Sequence, residues 1–230
     1  MARLLVHVEG ETEETFVNEV LTPHLHRHGY EKVAARLVGN ARLRERRGGI
    51  RAWTSVKADI IRHLKEDAGA SATTLVDYYG LPRTGDKGWP GRDRAASLPF
   101  AGKAPCVESA LEDDLVQSMG SDFNPRRFIP FVIMHEFEGL LFSDCAAFGR
   151  GIQRPDLADQ FRAIRDAFNS PEEIDDSPET CPSRRVLNLI PHYEKPLLGT
   201  LAALEIGLST IRAECPHFDQ WVRRLEQALR

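Results

Sequence analysis

The sequence predicts an α/β protein, with a mostly parallel sheet flanked by helices and a mainly helical C-terminal part. Over the first 145 residues, short apolar runs alternate with stretches whose apolar residues recur at helical spacing. After Ser143 the helical spacing takes over almost entirely. Hydrophobic residues make up 42% of the 230 and charged residues 28%, a composition that supports a packed core and excludes wholesale disorder.

The elements follow in order. Leu4 to Val8 is an apolar run that stops at Glu9-Gly10, as a buried strand entering a turn does. Phe16, Val17, Val20, Leu21 and Leu25 mark a helix that Gly29 ends and that Pro23 is expected to kink or split. Val33 to Val38 reads as a second strand. Trp53, Val56, Ile60, Ile61 and Leu64 read as a helix, and Thr73 to Val76 as a third strand stopping at Asp77. Pro82 to Lys103, rich in Gly, Pro and charge, reads as a long loop, with a helix on Val107, Leu111 and Leu115 after it. Phe128 to Met134 is a fourth apolar run, ending in His135-Glu136. Helices are then expected over 157–168, 185–190, 197–208 and 218–229. The division drawn from this pattern is an α/β core over 1–145 and a helical subdomain over 146–230, with the acidic, Pro-containing stretch 169–182 as hinge.

Net charge is −4, so no global positive field marks a nucleic-acid binder, although a local basic stripe suffices for one. The first residues form too short an apolar run for a signal peptide, and no stretch is long and apolar enough for a membrane span. Cys106, Cys145, Cys181 and Cys215 are far apart, without a C-x-x-C pair, and read as reduced thiols. A soluble cytoplasmic protein is the expectation.

Three expected strands end in carboxylates: Glu9, Asp77 and Glu136. Parallel strands joined by right-handed crossovers share one carboxyl edge, where α/β proteins place their sites. Glu13 would sit a turn above that edge, and Glu138 follows Glu136 by two residues. Glu13 and Glu14 also suit a helix N-terminus, and Asp77 suits a turn, without any ligand. Carboxylates gathered together repel unless a proton or cation intervenes, and Mg²⁺ or Mn²⁺ prefers such oxygen donors. One or two such ions would serve phosphodiester cleavage, two of them at roughly 4 Å separation.

The segment Glu9-Gly10-Glu11-Thr12-Glu13 resembles the E-G-x-T-E opening of Toprim-type domains, particularly those of OLD-family nucleases and RloB-like proteins. Asp77-Tyr78-Tyr79-Gly80-Leu81-Pro82, His135-Glu136-Phe137-Glu138, Ile190-Pro191-His192-Tyr193-Glu194-Lys195 and Cys215-Pro216-His217-Phe218 resemble a bacterial domain-of-unknown-function family within that group. The resemblance implies a Toprim-like fold and a divalent-metal-dependent nuclease. It implies a nucleic-acid substrate, an ABC/SMC-type ATPase partner and a role in antiphage defence. Carried over, Glu9 is the metal-linked acid/base, Glu13 a second ligand, and Asp77 the first Asp of a D-x-D pair. Tyr79 stands where the second Asp would be, which leaves Glu136 or Glu138 to supply the missing oxygen.

Other signals narrow the reading. Gly139 four residues after His135 removes the H-E-x-x-H zinc-protease pattern, and no P-loop motif occurs, so ATP hydrolysis would fall to a partner. Arg42, Arg44, Arg46 and Arg47, near Arg36 and Arg51, form one basic stripe. Arg83, Lys87, Arg92 and Arg94 form another, with Trp89 available to stack on a base. Either stripe also reads as a solvated face. Lys195 is the late cation chosen to stabilise phosphoryl charge, and it equally fits a lysine snorkelling from a helix end. His192 and His217 read as structural histidines or as phosphate contacts. The reading that competes with catalysis is a nucleic-acid- or ATPase-binding module with a degenerate metal site.

Overall fold

The structure is a computed structural model that describes residues 2–38, 50–174, 177 and 179–229. Its centre is a parallel sheet of β1 (Arg3–Val8), β2 (Lys32–Leu37), β3 (Ala70–Asp77), β4 (Phe128–Ile129) and β5 (Val132–Ile133), ordered β2-β1-β3-β4, with β5 also paired to β3. This is the α/β architecture that the alternation predicts. β1 and β3 are central and almost wholly buried, whereas the edge strand β2 carries Lys32 and Arg36 in solvent.

β4 and β5 are two pieces of the single strand expected over 128–134. Pro130 between them has no N–H for the ladder, and two threonines of β3 repair the gap. The Thr73 hydroxyl donates to the Ile129 carbonyl at 2.5 Å. The Thr74 hydroxyl donates to the Phe131 carbonyl and accepts from the Phe131 N–H, both at 2.9 Å. Trp221 then donates its indole N–H to the Thr73 oxygen at 2.9 Å, fastening the C-terminal helix to the sheet.

On one face lie α1 (Glu11–Phe16) and α2 (Thr22–Arg27), which run on through a π turn at Val17–Leu21. Pro23 therefore does not split the helix. The widened turn falls just before it, where the ring and the missing N–H forbid regular α bonding. The opposite face carries α3 (Trp53–Glu66) and α5 (Phe100–Met119), with the short α4 (Arg92–Ala95) leading into α5. The stretch 82–103 is thus not one long loop. Pro99 caps α5, and its start at Phe100 lies ahead of its apolar stripe.

The later helices are α6 (Phe137–Leu140), α7 (Cys145–Gly151), α8 (Ala158–Arg165), α9 (Pro182–Leu189), α10 (Thr200–Ile206), α11 (Leu208–Glu214) and α12 (Pro216–Gln227). They pack on the α1 and α2 face, and one apolar cluster joins Leu4, Val6 and Val8 to Phe137, Phe148, Ile211 and Trp221. The second cluster, on the far face, joins Ala72, Val76 and Val132 to Ile60, Leu111 and Trp89. Glu172, within the stretch expected as hinge, is buried and accepts from the His217 and Phe218 N–H groups at the start of α12, both at 2.9 Å. The four cysteines are unpaired, and no described helix is long and apolar enough to cross a membrane.

Candidate metal centre

Strand register brings the acids together. Val8 is level with Leu75, and Asp77, two residues on, is level with Ile133. Glu9 therefore leaves β1 beside the end of β3, and Glu136 follows β5 at the same carboxyl edge. Glu9 stands close enough to the β3 end that its Oε2 faces the Asp77 N–H at 3.4 Å. The backbone must also make room for it. A Cβ at Gly80 would stand 3.3 Å from each Glu9 carboxylate oxygen.

The other acids are each held by a local contact. Glu13 is buried on the first turn of α1, where its Oε2 accepts the Gly10 N–H at 2.9 Å. Asp77 Oδ1 accepts the Phe137 N–H at 3.0 Å, tying β3 to the start of α6. Glu136, the N-cap of α6, accepts the Ser183 N–H at 2.8 Å from the first turn of α9. Glu138 is only 2% exposed and faces Lys195, whose Nζ lies 3.2 and 3.3 Å from its two oxygens. The Lys195 side chain is 42% exposed, so Glu138 does not enclose it.

Burial and mutual repulsion set the charge of this group. Burial raises the Glu13 pKa to about 7, with Glu9 and Glu138 adding to the effect. Asp77 is held well above the usual carboxylate range by burial first, then by Glu9, Glu13, Glu138 and Glu136. Burial also raises Glu9 and Glu138, and Lys195 opposes it at both. Burial alone would lower Lys195, but Glu138, Glu136 and Asp77 outweigh it and hold the ammonium above its ordinary range. Among the described residues, one lysine thus serves Glu9, Glu13, Asp77 and Glu138, too little positive charge for all four to be fully ionised at neutral pH.

A hard divalent cation fits this donor set. All five groups offer carboxylate oxygen, the chemistry Mg²⁺ and Mn²⁺ select, and the raised proton affinity of Glu9, Glu13, Asp77 and Glu138 is what a cation would relieve. Among the described residues, no three of these acids bring an oxygen each within 4.8 Å of one another, so rotation of the side chains must accompany coordination. Tyr79 donates its backbone N–H to the His135 carbonyl at 3.0 Å, and its side chain is 38% exposed.

The basic residues divide. Arg83, Lys87 and Arg94 are exposed on the segment after Asp77, Arg83 lying 3.8 Å from Asp93. Trp89 and Arg92 are corrected by the structure. Trp89 is 2% exposed, packs on Trp53 and donates to the Arg51 carbonyl at 2.9 Å, so it offers no face to a base. Arg92 is buried over the Tyr78 ring, 3.8 Å from its centroid, and donates to the Tyr78 carbonyl. An aromatic ring with one N–H, or a guanidinium over a tyrosine, is covered more easily than composition implies. Arg42, Arg44, Arg46 and Arg47 lie outside the described residues. His217 is a core histidine, stacked on Phe131 and 2.9 Å from Glu108.

Sequence reasoning missed Ser183 and Phe137 as backbone anchors of the acids, and Gly80 as the gap beside Glu9. The glycine in Asp77-Tyr78-Tyr79-Gly80 is the one local signal of that gap. The anchoring N–H groups leave no trace in residue type.

Two solved structures resemble this chain, both of the C-terminal region of the Xanthomonas campestris pv. campestris OLD protein, one phased with mercury and one with iodine. Each has 16% identity and a TM-score of 0.43, with 100% of this chain and 95% and 96% of theirs covered. No curated protein matches the chain. A family profile covers residues 8–226, nearly the whole length, and the chain belongs to the family described as Domain of unknown function (DUF4276).

Proposed function

We propose that the protein is a divalent-metal-dependent nuclease that hydrolyses phosphodiester bonds in DNA or RNA. The observation that carries this reading is the convergence of Glu9, Glu13, Asp77, Glu136 and Glu138 on one edge of the sheet around Lys195. Glu9, Glu13, Asp77 and the Glu136/Glu138 pair would hold Mg²⁺ or Mn²⁺, which when bound supplies Lewis acidity and an activated water.

The chain's own groups have definable work. Lys195, kept protonated by its acidic neighbours and partly open to solvent, is suited to neutralising charge on a phosphoryl oxygen. Glu13, whose carboxyl changes protonation near neutral pH, is suited to carrying a proton beside Glu9. Arg83, Lys87 and Arg94 present positive charge on the segment after Asp77, where a phosphate backbone would run. The sequence contains no P-loop, so any ATP dependence enters through a partner. An ABC/SMC-type ATPase in an antiphage defence system is the partner proposed, on the strength of the motif resemblance.

The test is cleavage of supercoiled plasmid and of tRNA with Mg²⁺ or Mn²⁺, alone and with an added ABC/SMC-type ATPase. Asp77→Asn and Glu138→Gln should each abolish cleavage while the protein stays folded. Undiminished cleavage in both variants would remove this site from the chemistry.

A second reading has its own observation. Tyr79 in place of an acid, with no three of the described carboxylates bringing an oxygen each within 4.8 Å of one another, fits a module that binds nucleic acid or an ATPase without cutting. Calorimetric titration separates the two, because a working centre takes up Mn²⁺ and a degenerate one does not.

A further inference from the structure

We propose that Tyr193 is a positioning residue of the acidic centre, its hydroxyl kept as the hydrogen-bond donor that fixes Glu138 when this carboxylate turns to hold a cation. This role presupposes the metal centre proposed above. Tyr193 is 6% exposed, and its hydroxyl oxygen is fully covered and has no hydrogen-bond partner. Other buried rings of the chain spend their donors. Tyr30 gives its O–H to the Leu225 carbonyl at 3.0 Å. Trp53, Trp89 and Trp221 give their N–H groups to Asp114, to the Arg51 carbonyl and to Thr73, at 2.6, 2.9 and 2.9 Å. An unpaired buried hydroxyl is disfavoured by its lost hydration, and phenylalanine would fill the same space without that loss.

The hydroxyl lies at the acidic edge. A Cβ at Gly199 would stand 3.2 Å from it, 3.3 Å from Thr12 Cγ2 and 3.8 Å from Phe137 Cε1, so these three side chains meet at one point. Thr12 adjoins Glu13 on α1, and Phe137 lies between Glu136 and Glu138. The methyl group and the ring edge offer the hydroxyl neither oxygen nor nitrogen. Burial first, and then the charge of Glu138, push the phenol well above its ordinary range, so it stays a protonated donor at any working pH. The Tyr193 N–H donates to the Ile190 carbonyl at 3.1 Å. Lys195, two residues beyond that turn, reaches the two Glu138 oxygens at 3.2 and 3.3 Å.

Lys195 thus occupies Glu138 as the structure stands. Coordination requires the acids to rotate, because among the described residues no three of them bring an oxygen each within 4.8 Å of one another. A Glu138 carboxylate that swings from Lys195 gives up charge-assisted hydrogen bonds at a position only 2% exposed, and it needs a replacement donor from the protein. The Tyr193 O–H supplies one. Outer donors of this kind set the orientation and basicity of metal ligands, so Tyr193 acts through Glu138 and not on the substrate.

The experiment titrates chelator-stripped, full-length protein with MnCl₂ by calorimetry at neutral pH and measures Tm in EDTA. Tyr193→Phe should weaken Mn²⁺ binding by on the order of tenfold, while melting without metal at or above the wild-type temperature. Tyr30→Phe should show the reverse, a lower Tm and unchanged Mn²⁺ affinity, because its hydroxyl is already spent. Gly199→Ala, which sets a methyl group against the Tyr193 hydroxyl, replaces Tyr193→Phe if that variant does not fold, and should weaken Mn²⁺ binding likewise. Wild-type protein that takes up no Mn²⁺ would overturn the metal centre, and the role of Tyr193 with it. Wild-type uptake that is unchanged in Tyr193→Phe, or in Gly199→Ala where it stands in, would overturn the role of Tyr193 and leave the centre in place. A Tyr193→Phe protein whose Tm in EDTA falls as that of Tyr30→Phe does would mark the hydroxyl as structural and overturn the role as well.

Discussion

Glu13→Gln tests the electrostatics of the acidic edge most directly, because it removes one charge and almost nothing else. Glu13 is 6% exposed, and its side chain accepts the Gly10 N–H at 2.9 Å, a bond that the glutamine oxygen retains. Its folded-state pKa of about 7 lies above the ordinary 4.5, so the folded protein holds a proton that the unfolded chain has released. The associated stability is fully present below pH ~4.5 and is lost as pH rises through about 7. The gap corresponds to ~3 kcal/mol, an order-of-magnitude figure for a group coupled to Glu9 and Glu138. Metal-free Glu13→Gln should therefore match wild type near pH 5 and exceed it at pH 8 by up to ~3 kcal/mol, or roughly 6–12 °C in Tm. Urea titrations in EDTA at pH 5, 6, 7 and 8 measure the difference. The variant should also lose Mn²⁺ affinity, so that it gains stability and forfeits function together. A Glu13→Gln protein less stable than wild type by the same amount at every pH would refute the reasoning, since the glutamate would then act only as a cap.

Three further outcomes follow from the same geometry. Lys195→Met leaves the buried Glu138 carboxylate without its cation. It should destabilise by ~1–3 kcal/mol in chemical denaturation, less than a fully buried pair because Lys195 is 42% exposed, and Glu138→Gln in the same chain should recover part of the loss. Gly80→Ala places a methyl group 3.3 Å from both Glu9 oxygens and should lower Mn²⁺ affinity in calorimetry while shifting Tm little. Replacing Arg83, Lys87 and Arg94 with alanine should flatten the salt dependence of nucleic-acid binding by a slope of about 2–3, whereas Trp89→Phe should cost stability and leave that slope unchanged.

Much of the sheet is legible in the chain because buried parallel strands are short apolar runs, and here each run stops at an acid or turn. Thr73 to Val76 ending at Asp77 is the clearest case. Glu9 and Asp77 could be placed on one edge before any coordinates, since parallel strands share their carboxyl ends. Pro23 interrupts the α bonding as expected but does not split the helix, and the stretch 82–103 holds helices where a loop was expected, for a common reason. Proline and glycine mark a local departure from regular bonding, yet a π turn or a capped helix start meets that departure as well as a break or a loop does. Trp89 and Arg92 were misread because amphipathic side chains carry the same residue letters whether covered or open.

Residue order alone determined the alternation of strand and helix, the strand ends at Glu9 and Asp77, and the helical C-terminal part, while Glu136, expected at a strand end, is the N-cap of α6 three residues beyond β5. Those properties depend on neighbours a few positions away, which apolar periodicity records. Only the tertiary structure decided that Glu138 meets Lys195, that Ser183 holds Glu136, and that His24 and His28 face Glu226 across two helices. These partners are brought together by crossovers and helix packing, and no local pattern encodes which distant side chain a packed face will meet.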